Sequence, residues 1–128
     1  MEGSAAAERK SEALPKQKRL AKRSDFLRIY ESGRKQSSRF AVLFFASNDL
    51  SHSRLGVTAT KKLGKANVRN RLKRWTREVY RRRRAPLDLD AHHVDIVVNV
   101  KPNASQVTFR EFSDDLGRAL QRVAEIAA

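Results

Sequence analysis

The chain has 128 residues, with 28 basic and 14 acidic side chains, no cysteine and a formal net charge of +14. This composition excludes a disulfide framework and thiolate chemistry, and no apolar run approaches the roughly 18 residues that a membrane-spanning helix needs. The first residues contain no apolar segment typical of a secretory signal, so we expect a cytoplasmic protein. Its positive charge is typical of nucleic-acid binders and, less often, of proteins on anionic membranes.

The first 17 residues are rich in Ala, Ser, Glu and Lys and have no periodic apolar positions. They are therefore expected to form a disordered tail ahead of a single domain, residues 18–128, with order beginning near Leu20. A short helix is predicted between an N-cap at Ser24 and a stop at Gly33. Its apolar residues share one face: Phe26, Ile29 and Tyr30.

Residues 39–47 are rich in β-branched and aromatic side chains, which predicts a strand. Alternation divides its large side chains between two faces, with Phe40, Val42 and Phe44 on one and Leu43 and Phe45 on the other. A second strand is expected at residues 54–60, and the two are predicted to form an antiparallel hairpin. The almost continuous apolar run at residues 94–100 predicts a third strand in the centre of the sheet.

Residues 61–84 contain 12 of the 28 Lys and Arg residues and a single acid, Glu78. From Lys65 onward they predict one helix, which Pro86 stops. An apolar stripe follows helical spacing: Val68, Leu72, Trp75 and Val79. At about 100° per residue, the far side of the helix is cationic and holds seven polar residues: Arg69, Asn70, Lys73, Arg74, Arg77, Arg81 and Arg84. Glu78 is four residues from both Arg74 and Arg82 and is expected to pair with them.

This one-sided strip favours a polyanion-binding helix over a solvated charged face. Solvated helix faces usually mix the two signs of charge, whereas a strip of one sign repels itself unless an anionic ligand relieves it. Arginine makes bidentate contacts with phosphate, and asparagine adds a directional hydrogen bond. The strip is therefore suited to an RNA backbone.

The last helix begins with a capping-box pattern at Thr108 and Glu111. Its apolar face is formed by Phe109, Phe112, Leu116, Leu120, Val123 and Ile126. The complete order, α-β-β-(β)-α-β-α, predicts an α+β fold. We expect a two-layer sandwich in which three helices accompany a small mixed sheet of about four strands.

Catalytic residues are not apparent, because no nucleophile triad or glycine-rich phosphate loop is present. One acidic cluster could bind a hard metal if it were extended: Asp88, Asp90, His92, His93 and Asp95. An acidic loop that leads into a strand is the favoured interpretation. Three aromatic residues are either core residues or a stacking platform for single-stranded RNA: Phe26, Tyr30 and Phe44.

The basic stretch resembles the protein component of bacterial ribonuclease P. The motif Lys-Lys-x-Gly-x-Ala-x-x-Arg-Asn-Arg-x-Lys-Arg-x-x-Arg-Glu is carried by Lys61, Lys62, Gly64, Ala66, Arg69, Asn70, Arg71, Lys73, Arg74, Arg77 and Glu78. The flanks agree, since residues 20–35 resemble the first helix of the family and Arg-Leu-Gly-Val at residues 54–57 resembles the strand before the motif. The resemblance extends from about residue 20 to about residue 123.

The resemblance implies a division of labour between protein and RNA. A large catalytic RNA with Mg²⁺, which is held mainly by that RNA, would hydrolyse precursor tRNA and release its 5′ leader; the protein would be an accessory subunit in a 1:1 ribonucleoprotein. It also implies a left-handed β-α-β crossover, as in the fold that takes its name from the second domain of a small-subunit ribosomal protein. Most β-α-β crossovers are right-handed. No catalytic residue, metal ligand or membrane contact is implied for the protein itself.

By the same resemblance, two groups of residues acquire roles. A cleft between the first helix and the sheet would bind the leader through Phe26, Tyr30, Phe44, Lys61 and Lys62. The basic helix would face the catalytic RNA through Lys65, Arg69, Asn70, Arg71, Lys73, Arg74 and Arg77. Three alternatives stay open: a ribosomal-type binder of structured RNA, a metal nuclease using the acidic cluster, and a protein that binds acidic membranes.

Overall fold

A computed structural model describes residues 14–127 as three helices and four strands. In chain order they are α1 (Arg23–Ser32), β1 (Arg34–Ser37), β2 (Ala41–Ser47), β3 (Arg54–Thr58), α2 (Ala66–Arg84), β4 (Val94–Val100) and α3 (Phe109–Ala127). Short 3-10 turns connect them at Lys16–Lys18, Lys61–Leu63, Leu89–His92 and Pro102–Gln106. The predicted α+β fold, with three helices and a small mixed sheet, is confirmed.

The four strands form one sheet in the order β1-β2-β4-β3. β4 is central, as its apolar run predicts, and it pairs antiparallel with β2 and parallel with β3. The predicted hairpin between the strands at residues 39–47 and 54–60 is wrong, because β4 lies between β2 and β3. The hairpin partner of β2 is instead β1, whose sequence Arg-Lys-Gln-Ser has no strand pattern and lies at an exposed edge.

The helices cover the two faces of the sheet unequally. α2 and α3 pack on one face, where their apolar residues join Leu43 and Phe45 in the larger core cluster. The short α1 packs on the other face, where Ile29 is completely buried with Val97. Phe40 lies in a bend before β2 and joins the larger cluster, so it does not share a face with Phe44 as alternation predicts.

Leu14, which lies before the predicted start of order near Leu20, is already part of the folded domain. Leu14 is buried in the larger core cluster, and its carbonyl accepts a hydrogen bond of 2.7 Å from Arg19 Nε. Residues 1–13 of the predicted tail lie outside the described residues. The N-cap of α1 is Lys22 and has no side-chain capping bond, so the predicted cap at Ser24 is wrong.

Gly33 ends α1 as predicted, although its backbone is extended and not left-handed. A Cβ there would stand 2.3 Å from the carbonyl oxygen of Ile29 and 2.8 Å from that of Phe45. Glycine is therefore required by the close approach of α1 to β2. No helix within residues 14–127 is both long and apolar enough to cross a bilayer.

Candidate nucleic-acid interface

Helix α2 docks on the core through its predicted apolar stripe. Leu72 and Val79 are buried, and Val68 and Trp75 pack against the core with part of their surface exposed. The Trp75 ring meets Phe109 of α3 edge-on, with 5.5 Å between ring centroids. This packing turns the opposite side of α2 to solvent.

The four arginines at the end of α2 are largely engaged within the protein. Glu78 accepts hydrogen bonds from Arg81 at 2.6 Å and Arg82 at 2.7 Å, so its predicted partner Arg82 is confirmed and Arg74 is wrong. These bonds, led by the one from Arg81, hold the pKa of Glu78 below its usual range against the opposing effect of burial. Arg84 lies 3.7 Å from Asp90, and the Arg83 guanidinium approaches Gly117 of α3.

The earlier turns of α2 keep their positive charge unpaired. No carboxylate among residues 14–127 lies within ion-pair distance of five side chains: Lys65, Arg69, Lys73, Arg74 and Arg77. Asn70, Arg74 and Arg77 are exposed, and Arg69 and Lys73 are partly so. The structure therefore brings together on one surface most of the residues that the motif assigns to RNA.

Arg71 differs from this set because it is partly a structural residue. Its Nη2 donates to the carbonyl of Ser105 at 2.8 Å, and its guanidinium lies 5.3 Å from the Trp75 ring centroid. Its side chain is therefore held against the α2–α3 contact. Arg71 is still partly exposed, and its exposed part lies next to the cationic strip.

The exposed Arg19 adds positive charge near the basic helix, and no sequence pattern predicted this position. Burial and the charge of Arg19 together lower the pKa of Arg77 from its ordinary value. Arg19 reaches this place because it bridges to Leu55 of β3, alongside a backbone bond of 2.8 Å from Leu20 to the same residue. The segment before α1 thus adds a positive charge close enough to lower the pKa of Arg77.

A second candidate surface is the predicted cleft between α1 and the sheet, where a small apolar cluster includes three partly exposed aromatic residues. The Tyr30 ring meets Phe44 edge-on at 4.9 Å. Phe26 lies against Gly56, where a Cβ would stand 2.7 Å from its Cζ. The predicted trio, Phe26, Tyr30 and Phe44, is therefore brought together, and each ring combines packing with partial exposure.

Tyr30 also takes part in a hydrogen-bond network that sequence reasoning missed. Tyr30 donates its hydroxyl proton to Asn99 Oδ1 at 2.8 Å, and Thr58 Oγ1 lies 3.3 Å from the same hydroxyl. Asn99 and Thr58 are direct neighbours across the parallel β3–β4 pair. The network fixes the Tyr30 hydroxyl on the sheet, beside the edge-on contact of its ring with Phe44.

Lys61 and Lys62 are exposed on the 3-10 turn that follows β3. This turn runs from the strand that contributes Thr58 to the start of α2. Gly64 closes it with φ +142°, a backbone conformation that favours glycine, and Leu63 anchors it in the core. Along the chain, the two lysines therefore lie between the strand that carries Thr58 and the basic helix.

The acidic cluster is used for structural contacts. Asp95 is fully buried and accepts hydrogen bonds from Arg28 at 2.6 Å, from Asn48 at 2.7 Å and from Arg54 at 2.8 Å. Burial alone would raise the pKa of Asp95, but these bonds and the charge of Arg54 hold it below its usual range. Asp90 likewise accepts bonds from Ser53 and Lys18, which outweigh burial and lower its pKa.

The extended arrangement that would align a metal site is not formed. Residues Leu89–His92 form a 3-10 turn between two left-handed residues, Asp88 and His93. Within residues 14–127, no three His, Cys, Asp or Glu side chains are grouped closely enough to hold a metal ion. The carboxylates of Asp90 and Asp95 already have cationic or hydroxyl partners.

Comparison with known proteins identifies the family. The family model named Ribonuclease P matches residues 14–124, which include both surfaces. The chain belongs to the ribonuclease P protein component family. Curated relatives named ribonuclease P protein component include one from Desulforapulum autotrophicum, 34% identical, covering 88% of this chain and 94% of that protein. Another, from Thermotoga maritima, is 35% identical and covers 88% and 97%.

Solved structures of this family agree with the fold. The ribonuclease P protein from Thermotoga maritima matches with a TM-score of 0.73 and 36% identity, covering 81% of this chain and 96% of that one. The Staphylococcus aureus ribonuclease P protein matches with a TM-score of 0.74 and 31% identity, covering 83% and 94%. A ribonuclease P protein component is part of an endoribonuclease. Membership in the family implies tRNA processing in a ribonucleoprotein with the ribonuclease P RNA.

Proposed function

We propose that this chain binds the ribonuclease P RNA through the exposed face of α2 and the 5′ leader of precursor tRNA through the cleft beside α1. The RNA carries the catalysis, and the protein assists removal of the leader as one subunit of a 1:1 cytoplasmic complex. The products are a mature tRNA 5′ end with a 5′-phosphate and the free leader.

The observation that carries this proposal is the unpaired charge of α2. Glu78 and Asp90 neutralise arginines at the end of the helix, whereas its first three turns have no acidic partner among the described residues. Like charges that are held side by side destabilise a helix unless an anion lies between them. An RNA backbone supplies such anions at regular spacing, and Arg recognises them bidentately.

The cleft supports the second half of the proposal. Stacking on aromatic rings holds a base without reading its edge and contributes about 1–3 kcal/mol per base. The rings of Phe26, Tyr30 and Phe44 are partly exposed on one face of the sheet, and Lys61 and Lys62 on the next turn can neutralise phosphates. Such a cleft suits a leader of variable sequence, which is present in precursor tRNA and absent from the mature product.

Magnesium is assigned to the RNA in this proposal. The two buried or half-buried carboxylates in the acidic cluster, Asp90 and Asp95, are bonded to Lys18, Ser53, Arg28, Arg54 and Asn48. They are therefore poorly suited as ligands. When bound to the RNA, the metal would supply charge stabilisation for phosphodiester hydrolysis, and the protein would position the substrate.

The test is cleavage of precursor tRNA at low magnesium by the protein, by a bacterial ribonuclease P RNA and by both together. We expect only the mixture to cut efficiently at the mature 5′ end. Cleavage by the protein alone would identify a nuclease and overturn the proposal. Tight RNA binding by an inert mixture would indicate a structured-RNA binder of another kind.

The leader assignment has its own test in Phe26→Ala. Loss of one stacking ring should weaken binding of precursor tRNA to the complex roughly five- to 150-fold, which corresponds to about 1–3 kcal/mol, and leave mature tRNA binding unchanged. An equal loss for both tRNAs would assign Phe26 to folding or assembly. Thermal unfolding of the variant provides the control for structural damage.

A further inference from the structure

We propose that the chain has a second contact with the catalytic RNA, at a small basic pocket between the β1–β2 turn and α3. The pocket has a volume of about 160 Å³ and is lined by Ser37, Ser38, Arg39, Asp115, Arg118 and Arg122. The ligand that we infer is a backbone phosphate. This inference rests on the proposed function, because the RNA concerned is the partner of α2.

The pocket lies on a different side of the domain from the cationic face of α2. On α3, Gly117 faces the Arg83 guanidinium of α2. Asp115 and Arg122 belong to the side of α3 that faces the β1–β2 turn. At about 100° per residue, these positions are well separated from Gly117 around the helix. An RNA that touched both surfaces would therefore contact the protein on two sides of α3.

The charge around this pocket is positive and largely unpaired. Arg39, Arg118 and Arg122 are exposed, and none has an ion pair with a carboxylate among residues 14–127. Arg118 and Arg122 are four residues apart, a spacing at which like charges destabilise a helix. Lys101 adds a fourth cation, since its Nζ lies 3.3 Å from the Ser37 hydroxyl.

The single acid in the pocket is already fully used. The Asp115 carboxylate accepts hydrogen bonds from the Ser38 hydroxyl at 2.8 Å and from the backbone N–H groups of Arg39 at 3.1 Å and Phe40 at 2.9 Å. It is nearly buried. Asp115 therefore fixes the turn and forms no ion pair with the three arginines, which remain available to bind an external anion.

The β1–β2 turn at the rim of the pocket is held by several contacts, which favours a preformed backbone on that side. Ser38 bonds to the carbonyl of Ala41 at 2.8 Å, Asn103 donates to the carbonyl of Arg39 at 3.1 Å, and the Arg39 guanidinium lies 5.1 Å from the Phe40 ring centroid. A rigid site loses less conformational entropy when it binds a ligand. The volume admits a phosphate group with a few waters.

The lining chemistry favours RNA over a protein partner. Three arginines and two serines line the pocket, and its only apolar lining residue is Ala119. Protein interfaces depend on buried apolar or aromatic anchors at their centre. Phosphate oxygens instead require several convergent donors and positive charge, as found here.

The first test is the salt dependence of binding to a bacterial ribonuclease P RNA. Removal of one phosphate contact lowers the magnitude of the slope of log K against log [salt] by about 0.7–0.9. By the same relation, it lowers the affinity roughly five- to eightfold at 0.1 M salt. We expect such a loss for Arg118→Gln and for Arg122→Gln. The matched control is Arg110→Gln, an exposed arginine of α3 outside the pocket, which should change neither quantity.

The variant Arg74→Gln separates failure of this inference from failure of the proposed function. If Arg74→Gln lowers the slope and both pocket variants behave like Arg110→Gln, only the second contact is refuted. If Arg74→Gln is also without effect, RNA binding by α2 fails as well. Unchanged unfolding temperatures in all four variants would exclude damage to the fold.

A second measurement locates the contact directly. The chain has no cysteine, so Ser37→Cys provides a unique attachment for a tethered iron–EDTA reagent that cleaves nearby RNA. The control is Asp49→Cys, an exposed residue beyond the other end of β2. We expect cuts in the catalytic RNA from position 37 that are absent from position 49. Equal patterns, or cuts confined to precursor tRNA, would overturn the inference.

Discussion

The ring of Phe26 lies directly over Gly56, so that a Cβ at position 56 would stand 2.7 Å from its Cζ and 2.9 Å from its Cε1. The same Cβ would also stand 3.2 Å from the Cβ of Leu20. The cleft beside α1 therefore depends on a missing side chain in β3. Glycine is used here for the close approach of a ring and not for an unusual backbone angle.

Replacement of Gly56 by alanine should displace the Phe26 ring. We expect Gly56→Ala to lower the free energy of unfolding by about 1–3 kcal/mol, because the new methyl group overpacks the cluster around Ile29. Precursor tRNA binding should weaken and mature tRNA binding should not. Denaturant unfolding and parallel binding titrations measure the two effects.

A matched glycine provides the control for this variant. A Cβ at Gly117 would approach the Arg83 guanidinium to 2.6 Å, but the end of that side chain is flexible and far from the cleft. Gly117→Ala should therefore leave the ratio of precursor to mature tRNA binding unchanged. A normal ratio in Gly56→Ala would contradict the role that we assign to the Phe26 ring.

Most helices and the central strand could be predicted from local patterns. In α2 and β4 the buried positions recur in the pattern typical of the element, so the apolar residues that occupy them show the element in the sequence. Thr108 and Glu111 form the predicted capping box, with the Glu111 N–H donating to Thr108 Oγ1 at 3.1 Å. Such signals lie within a few residues, so sequence reasoning finds them.

The errors in strand pairing arose from long-range contacts. The β1–β2 turn is held by Asp115, which is 75 to 77 positions away along the chain, and the polar sequence of β1 carries no strand signal. The insertion of β4 between β2 and β3 is also set by tertiary packing. Pairing partners depend on such contacts, and local propensity does not encode them.

The basic helix allows a comparison of two arginines on one element. Arg74 is exposed and has no carboxylate partner among the described residues, whereas Arg82 bonds Glu78 at 2.7 Å and lies 5.7 Å from the Phe109 ring centroid. We expect Arg74→Gln to lower the salt slope of binding to ribonuclease P RNA by about 0.7–0.9 and Arg82→Gln to leave it nearly unchanged. Equal slopes for the two variants would argue against a specific RNA face.

The site residues were predicted better than their partners. The motif identified the unpaired cations of α2, because it depends on residue type and spacing. It did not identify Arg19, Thr58 or Asn99, which reach the two surfaces through the tertiary fold. Whether Glu78 pairs with Arg74 or with Arg81 likewise depends on side-chain conformation, which helical spacing alone does not determine.

Two variants of Tyr30 separate ring stacking from hydrogen bonding. Tyr30→Phe removes the bond to Asn99 and should lower the free energy of unfolding by about 0.5–1.5 kcal/mol while it keeps the ring. Tyr30→Ala should in addition weaken precursor tRNA binding by about 1–3 kcal/mol. If Tyr30→Phe weakened precursor binding as much as Tyr30→Ala, the hydroxyl would be the recognition element in place of the ring.

The buried carboxylate of Asp95 should make stability dependent on pH in the acid range. Asp95 joins α1 to β3 and β4 through Arg28 and Arg54, and its pKa is held below the value of an unfolded aspartate, about 3.9. Its ionisation therefore stabilises the fold above about pH 4, and this contribution is lost as the pH falls through the lower folded pKa. Asp95→Asn should cost about 1.5–3 kcal/mol at neutral pH, because the hydrogen bonds from Arg28 and Arg54 lose their charged acceptor, although both arginines are partly exposed and keep Asp25 nearby.

The pH dependence of that variant distinguishes a charge effect from a packing effect. In urea unfolding at pH 7 and at successively lower pH, the difference between the wild type and Asp95→Asn should narrow once Asp95 becomes protonated. The control is Asp49→Asn, since Asp49 is exposed and has no ion pair among residues 14–127. A difference that stayed constant down to the acid limit would show that Asp95 stabilises the fold through shape and neutral hydrogen bonds, without its charge.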